Sequence, residues 1–171
     1  MHQHNYFITL TYDENNLPDG GTLCYSDFQS FMKKARHWQG IFNWQTKRQW
    51  EKTKIRFFMC GEYGALKRPH YHVILFNFPL TDLKEFKQQD NGTTLYTSET
   101  VSWLWNNRGF ITVGAVEYAS AAYVAQYCVK KLGKEITDYE MVNLETGELY
   151  QRQREMTQIS RRPGIGSTRY D

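Results

Sequence analysis

Arg68-Pro69-His70-Tyr71-His72-Val73-Ile74-Leu75-Phe76 is the stretch on which the reading of this chain turns. Tyr71, Val73, Ile74 and Phe76 favour an extended backbone, and Pro69 suits the first position of a strand. Residues two apart on a strand face the same side, so His70 and His72 point one way and Tyr71 points into the opposite layer. Two imidazoles on one rigid face supply half of a metal site. The partner strand lies just upstream. If residues 54–62 pair with the histidine strand as a hairpin whose loop centres near Leu66, Glu62 falls opposite His70 on the same face. A carboxylate and two imidazoles then converge, with room for substrate or water. Mg²⁺ or Mn²⁺ is compatible with such a set, since a phosphodiester oxygen can fill an open position. The same register brings Cys60 near His72, which makes zinc held by Cys60, His70 and His72 a rival arrangement. Two histidines with one carboxylate also describe non-haem iron oxygenases.

Working outward, Tyr6-Phe7-Ile8-Thr9-Leu10-Thr11-Tyr12 reads as another strand, followed by turn chemistry at Asn15-Asn16, Pro18 and Gly20-Gly21. Ser26 suits a helix N-cap, with Phe28, Phe31, Met32 and Ala35 at helical spacing and an end expected near Gly40. A short helix is expected over residues 80–87, a turn at Asp90-Asn91-Gly92, a helix over 98–106, a strand over 109–117, and a helix over 120–132 stopped by Gly133. Strands and helices in this order, with hairpin-like pairs, argue for α+β with an antiparallel sheet. Residues 1–150 form one domain on this reading, and 151–171 form a basic arm that continues it.

The chain has 171 residues, enough for one core, and 16% of them are aromatic. Net charge is only +3, but it is unevenly spread. Residues 31–58 carry Lys33, Lys34, Arg36, Lys47, Arg48, Lys52, Lys54 and Arg56 against the single acid Glu51, with Trp38, Trp44 and Trp50 among them. Cations interleaved with flat aromatics suit single-stranded nucleic acid, and equally suit a solvated helix face whose tryptophans are in the core. The last 21 residues hold five arginines, Arg161 and Arg162 included, against two acids, which fits a phosphate-contacting arm. The three cysteines are too few and odd in number for a disulfide framework. No stretch is long and apolar enough to span a membrane, and no signal peptide is visible, so the chain is expected in a reducing cytoplasm.

The second informative stretch is Ser120-Ala121-Ala122-Tyr123-Val124-Ala125-Gln126-Tyr127-Cys128-Val129-Lys130-Lys131. On a helix Tyr123 and Tyr127 share a face, and Lys130 follows on the same side. A tyrosine beside a lysine is a candidate nucleophile, because the cation stabilises the developing phenolate. Aromatic packing with lysines near a helix C-terminus is the competing explanation. Combined with the metal ligands, the tyrosines describe attack on a phosphodiester that leaves a 5′-phosphotyrosine and a free 3′-hydroxyl. A single-strand-binding module without catalysis would account for the basic and aromatic surface alone.

These motifs together resemble the HUH endonucleases, and most closely the replication initiators of small single-stranded DNA phages, the gokushovirus-like microviruses. Phe7-Ile8-Thr9-Leu10-Thr11-Tyr12 resembles their first strand motif. His70-Tyr71-His72 matches the histidine–hydrophobe–histidine motif, with Glu62 where a third ligand is often supplied. Tyr123 through Lys131 resembles the double-tyrosine motif, and Arg161-Arg162-Pro163-Gly164-Ile165-Gly166 a terminal motif of the phage group. The resemblance implies an HUH nuclease fold with a central antiparallel sheet of about five strands flanked by helices. It implies rolling-circle initiation, with nicking and joining at a replication origin. The implied partners are single-stranded DNA and the helicase and polymerase of the bacterial host in whose cytoplasm it would act. Gln126 stands three after Tyr123 where a basic residue often follows, whereas Lys130 follows Tyr127, so Tyr127 is the expected first nucleophile. An HUH transposase or relaxase would share this chemistry.

Overall fold

The structure, a computed structural model, describes residues 4–46, 54–130, 139–161 and 164–165. A seven-stranded antiparallel sheet organises them. The strands are β1 (Asn5–Leu10), β2 (Arg56–Tyr63), β3 (Pro69–Phe76), β4 (Lys84–Gln88), β5 (Thr94–Thr97), β6 (Ile111–Ala115) and β9 (Met156–Ile159). Their spatial order is β4-β5-β6-β1-β3-β2-β9. A separate hairpin joins β7 (Glu140–Val142) to β8 (Leu149–Gln151). Three α-helices accompany the sheet: α1 (Tyr25–Thr46), α2 (Glu99–Leu104) and α3 (Tyr118–Lys130). No helix among the described residues is long and apolar enough to cross a membrane.

Strand alternation gives the sheet two different faces. On one, Ile8, Leu10, Met59, Tyr71, Val73, Leu75, Ile111 and Val113 are buried with Phe28, Phe31, Met32 and Ala35 of α1. That is the main core. On the other, Cys60 and Ile74 are buried with Val124 of α3, and Phe7, Phe58 and Phe76 pack around them. Trp105, fully buried after α2, ties the first face to β1 by donating its indole N–H to the Thr11 carbonyl at 2.7 Å.

The α+β class and the antiparallel sheet agree with the sequence reading, but three details differ. The segment read as a helix over 80–87 contains β4 instead. All five of its residues are exposed, so no apolar face records its partner. Lys, Glu and Gln favour helix locally, yet pairing with β5 across the Asp90-Asn91-Gly92 turn prevails, with a register shift between Glu85 and Lys87. Helix α1 runs through Gly40 rather than ending there. An exposed glycine costs a helix only about 1 kcal/mol. Packing beyond it offsets that: Trp38 lies 5.3 Å from Phe78 between ring centroids, and the buried Gln39 donates to the Asn77 carbonyl at 2.7 Å. The sheet has seven strands where about five were expected, because β4 and β9 join its two ends, and β9 falls within the basic terminal segment.

Candidate metal centre

The β2–β3 hairpin pairs Glu62 with His70 and Cys60 with His72, the register expected from the sequence. All four side chains therefore lie on the α3 face. Glu62 is buried, and its Oε1 receives both rings: His70 Nε2 at 2.8 Å and His72 Nε2 at 3.0 Å. The candidate ligand atoms of Glu62, His70 and His72 all lie within 4.8 Å of one another. Cys60 is not part of this group. It packs into the apolar cluster with Ile74 and Val124, which removes the basis for the cysteine-ligated zinc alternative.

Both histidines are held from behind. His70 Nδ1 faces the Arg68 carbonyl at 3.2 Å, and His72 Nδ1 faces the Thr9 hydroxyl at 3.0 Å. Fixing Nδ1 in this way aims each Nε2 at the same point, the usual arrangement behind metal-binding imidazoles. A carbonyl can only accept, and so can a carboxylate. The His70 ring meets both contacts only with a proton on each nitrogen, so a cation taking its Nε2 would displace a proton.

Burial acts to raise the Glu62 carboxyl pKa, but the hydrogen bonds from His70 and His72, with their charge, prevail and hold it down to about 2. The group is therefore anionic at neutral pH. Its second oxygen, Oε2, is buried and has no hydrogen-bond partner. A buried carboxylate oxygen left in that state is costly, and a cation at the convergence of the three side chains would satisfy it. The donor set, two imidazole nitrogens and a carboxylate, fits a divalent ion with coordination positions to spare.

Helix α3 places Tyr123 against this group. Its ring meets His72 edge-on, with centroids 5.3 Å apart and planes at 86°, and meets Phe7 in the same manner at 6.4 Å. Phe7 in turn stacks on His72 at 5.4 Å. Tyr123 is 41% exposed, so a substrate can approach it. Tyr127 lies one turn further along α3, but its side chain, like that of Lys130, is outside the described residues. Tyr71, the tyrosine between the two histidines, points away into the main core. It is fully buried, its hydroxyl accepts from the Cys24 N–H at 2.8 Å, and burial pushes its phenol far above the ordinary range.

The basic residues are distributed differently. Lys33, Lys34 and Arg36 lie on α1, across the sheet from the histidines. Lys34 is engaged with Asn106 and sits 4.9 Å above the Trp103 ring. Arg161 follows β9 at the sheet edge. Lys47, Arg48 and Arg162 fall outside the described residues. Of the three tryptophans in the basic stretch, Trp38 stacks on Phe42 and packs on the core, as expected of a solvated helix with its aromatics inward. Sequence reasoning missed Thr9 and Phe7 as neighbours of His72. The alternation of β1 puts them on one face, but the position of β1 beside β3 is tertiary.

Residues 5–132 match the family model of the replication-associated protein ORF2 type. The chain is 35% identical to the Replication-associated protein ORF2 of Spiroplasma virus 4 over 154 residues, covering 83% of this chain and 42% of that protein. It is 39% identical to the Replication-associated protein VP4 of Bdellovibrio phage phiMH2K, covering 77% and 40%, respectively. To the Replication-associated protein ORF4 of Chlamydia phage 1 it is 29% identical, covering 76% and 31%. The chain thus spans about two fifths of the length of the first two relatives. No solved structure matches it.

Proposed function

The chain belongs to the replication-associated protein ORF2 family of phage proteins, and from that premise we propose that it nicks and rejoins single-stranded DNA at a replication origin. The reaction is HUH-type, with a tyrosine nucleophile and a divalent ion, Mn²⁺ or Mg²⁺. The observation that carries this reading is the double contact of His72. One imidazole touches both the Glu62 carboxylate and the ring of Tyr123, so metal-binding chemistry and a phenol share one exposed face.

Glu62, His70 and His72 would hold the ion, which when bound polarises a phosphodiester and neutralises its charge. The Arg68 carbonyl and the Thr9 hydroxyl keep the rings oriented. Phe7 packs under His72 and limits water on that side. The attacking group is a tyrosine of α3, Tyr127 first and Tyr123 second, with Lys130 stabilising the phenolate. The phenolic oxygen forms a bond to phosphorus as the bond to the 3′-oxygen breaks. The phenol gives up its proton, and the departing 3′-oxygen takes one up. The phosphodiester is exchanged for a phosphotyrosine, so a later attack by a free 3′-hydroxyl reverses the step and seals a strand.

The test is incubation with random-sequence single-stranded oligonucleotides and Mn²⁺, denaturing electrophoresis, and peptide mapping of any linked nucleotide. A covalent adduct on Tyr127 or Tyr123 that needs the metal is expected. Tyr127→Phe removes most of it, and His72→Ala abolishes cleavage while leaving DNA affinity largely intact. Wild-type cleavage by the double Tyr→Phe chain would show the nucleophile to be elsewhere.

A further inference from the structure

Away from the metal centre, an open cleft of about 380 Å³ lies at the β9 edge of the sheet. Three arginines line it: Arg36 from α1, Arg56 from the start of β2, and Arg161 just past β9. The other polar groups there are Tyr25, Gln158 and Ser160, and no acidic residue contributes. Ser160 Oγ already accepts from the Phe57 N–H at 3.0 Å, which leaves its own O–H free to donate. Every functional group of the guanidinium and hydroxyl set can therefore act as a donor.

The contrast with other arginines is informative. Arg68 pairs with Glu14, Arg108 with Asp27 at 2.8 Å, and the Arg152 guanidinium donates to the Gly20 and Lys67 carbonyls at 2.9 Å each. Among the described residues, Arg36, Arg56 and Arg161 have no such partner. Three like charges brought by separate segments to one cleft repel one another, and an anion removes that repulsion. The forked geometry of guanidinium is matched to phosphate oxygens.

We infer that this cleft is a second phosphate-binding site, which holds the backbone of single-stranded DNA at a distance from the metal centre. Arg56 and Glu62 are six positions apart on β2, roughly 20 Å along an extended strand. The DNA would run from the α3 face over the β9 edge toward α1, which gives the basic residues of α1 a place on its path. The choice of DNA as ligand rests on the function proposed above, whereas the phosphate chemistry rests on the cleft alone.

The test is fluorescence anisotropy of labelled oligonucleotides in EDTA across a salt series, so that no cleavage intervenes. Arg36→Gln, Arg56→Gln and Arg161→Gln are each expected to weaken a long oligonucleotide on the order of fivefold at about 0.1 M salt, and to lower the log–log salt slope by about 0.7. The Lys substitutions should restore much of the slope. Oligonucleotides too short to reach from the metal centre should be indifferent to all three. Competition with inorganic phosphate and with a nucleoside triphosphate separates the sources of phosphate. Arginine-dependent binding of the triphosphate with unchanged long-oligonucleotide affinity would overturn the DNA assignment. Unchanged affinity and slope in chains of wild-type melting temperature would overturn the site altogether. If arginine-dependent binding holds but no adduct ever forms, the cleft stands and the nicking chemistry falls. If the adduct forms and the arginines prove silent, the reverse follows.

Discussion

Glu62→Gln is the substitution that most directly tests the metal centre, because it removes a charge and keeps the shape. Without metal its effect on stability is limited. The carboxyl is held at about 2 against an ordinary 4.5, a preference for the ionised form of roughly 3 kcal/mol. The folded state binds its proton less readily than the unfolded one. This stabilisation is therefore complete above pH 4.5 and is lost as pH falls toward 2. The amide forgoes that term but also escapes the burial of a charge, so the metal-free chain should lose at most about 3 kcal/mol at neutral pH. With metal the difference is larger. A divalent ion at a hundredfold excess over its dissociation constant adds about 2.7 kcal/mol. For a chain of 171 residues that raises the melting temperature by roughly 5–11 °C. The wild-type protein should show this rise on titration with Mn²⁺ by differential scanning fluorimetry, and Glu62→Gln should not within the same concentration range. An equal rise in both would mean that the ion binds elsewhere, and the assignment of Glu62 as a ligand would be lost.

Thr9→Val removes the group behind His72 Nδ1, and Mn²⁺ affinity by titration calorimetry should fall about 10–100-fold with the ligands intact. Gly109→Ala should destabilise the chain by more than about 3 kcal/mol in urea unfolding. The added methyl would lie 2.6 Å from both the Asp13 nitrogen and the Thr11 oxygen, both backbone atoms. Asp82→Asn should cost about 1–2 kcal/mol, since the Asp82 carboxylate accepts from the Ser98 hydroxyl at 2.8 Å and the Thr100 N–H at 2.7 Å at the start of α2. Burial raises the Asp82 pKa, but these hydrogen bonds prevail and lower it from 3.8. The advantage of aspartate over asparagine should thus be full above about pH 4 and shrink below it; an advantage that grows in acid would contradict the geometry.

The metal centre was legible because its information is local. A single hairpin fixes the parity of Glu62, His70 and His72, and Tyr71 between the histidines is the apolar counterpart that pins the strand to the core. Ser98 likewise announced α2 by its side chain, which accepts from the Val101 N–H at 3.1 Å. What the chain did not disclose is set by partners distant in sequence. Nothing within residues 84–88 distinguishes an edge strand from an exposed helix, since no side chain there is buried. The roles of Thr9 and Phe7 depend on β1 lying beside β3, more than sixty residues away. The basic stretch misleads for a related reason: charge counts along the chain do not reveal which face of the sheet a helix covers. Lys33 and Arg36 are exposed on α1, yet α1 is the helix opposite the histidines.

The two faces of the sheet carry unequal cores, and the proposed chemistry needs that inequality. The α1 face buries a large apolar cluster that includes Phe28, Phe31, Tyr71 and Trp105. On the α3 face the buried cluster among the described residues is Cys60, Ile74 and Val124, flanked by half-buried aromatics. Fully burying one such aliphatic side chain contributes about 1.5–3 kcal/mol. Helix α3 is thus held to the sheet by a few kcal/mol through Val124, while the strands carrying the ligands are fixed by the whole molecule. A metal site must keep its ligands in place through many turnovers. A nucleophile that becomes linked to DNA must instead carry that strand aside to admit a second one, which a helix of low local stability allows. Putting the ligands on β2 and β3 and the tyrosines on α3 separates these demands. The ring contact between His72 and Tyr123 is then the point at which the rigid and the yielding parts meet.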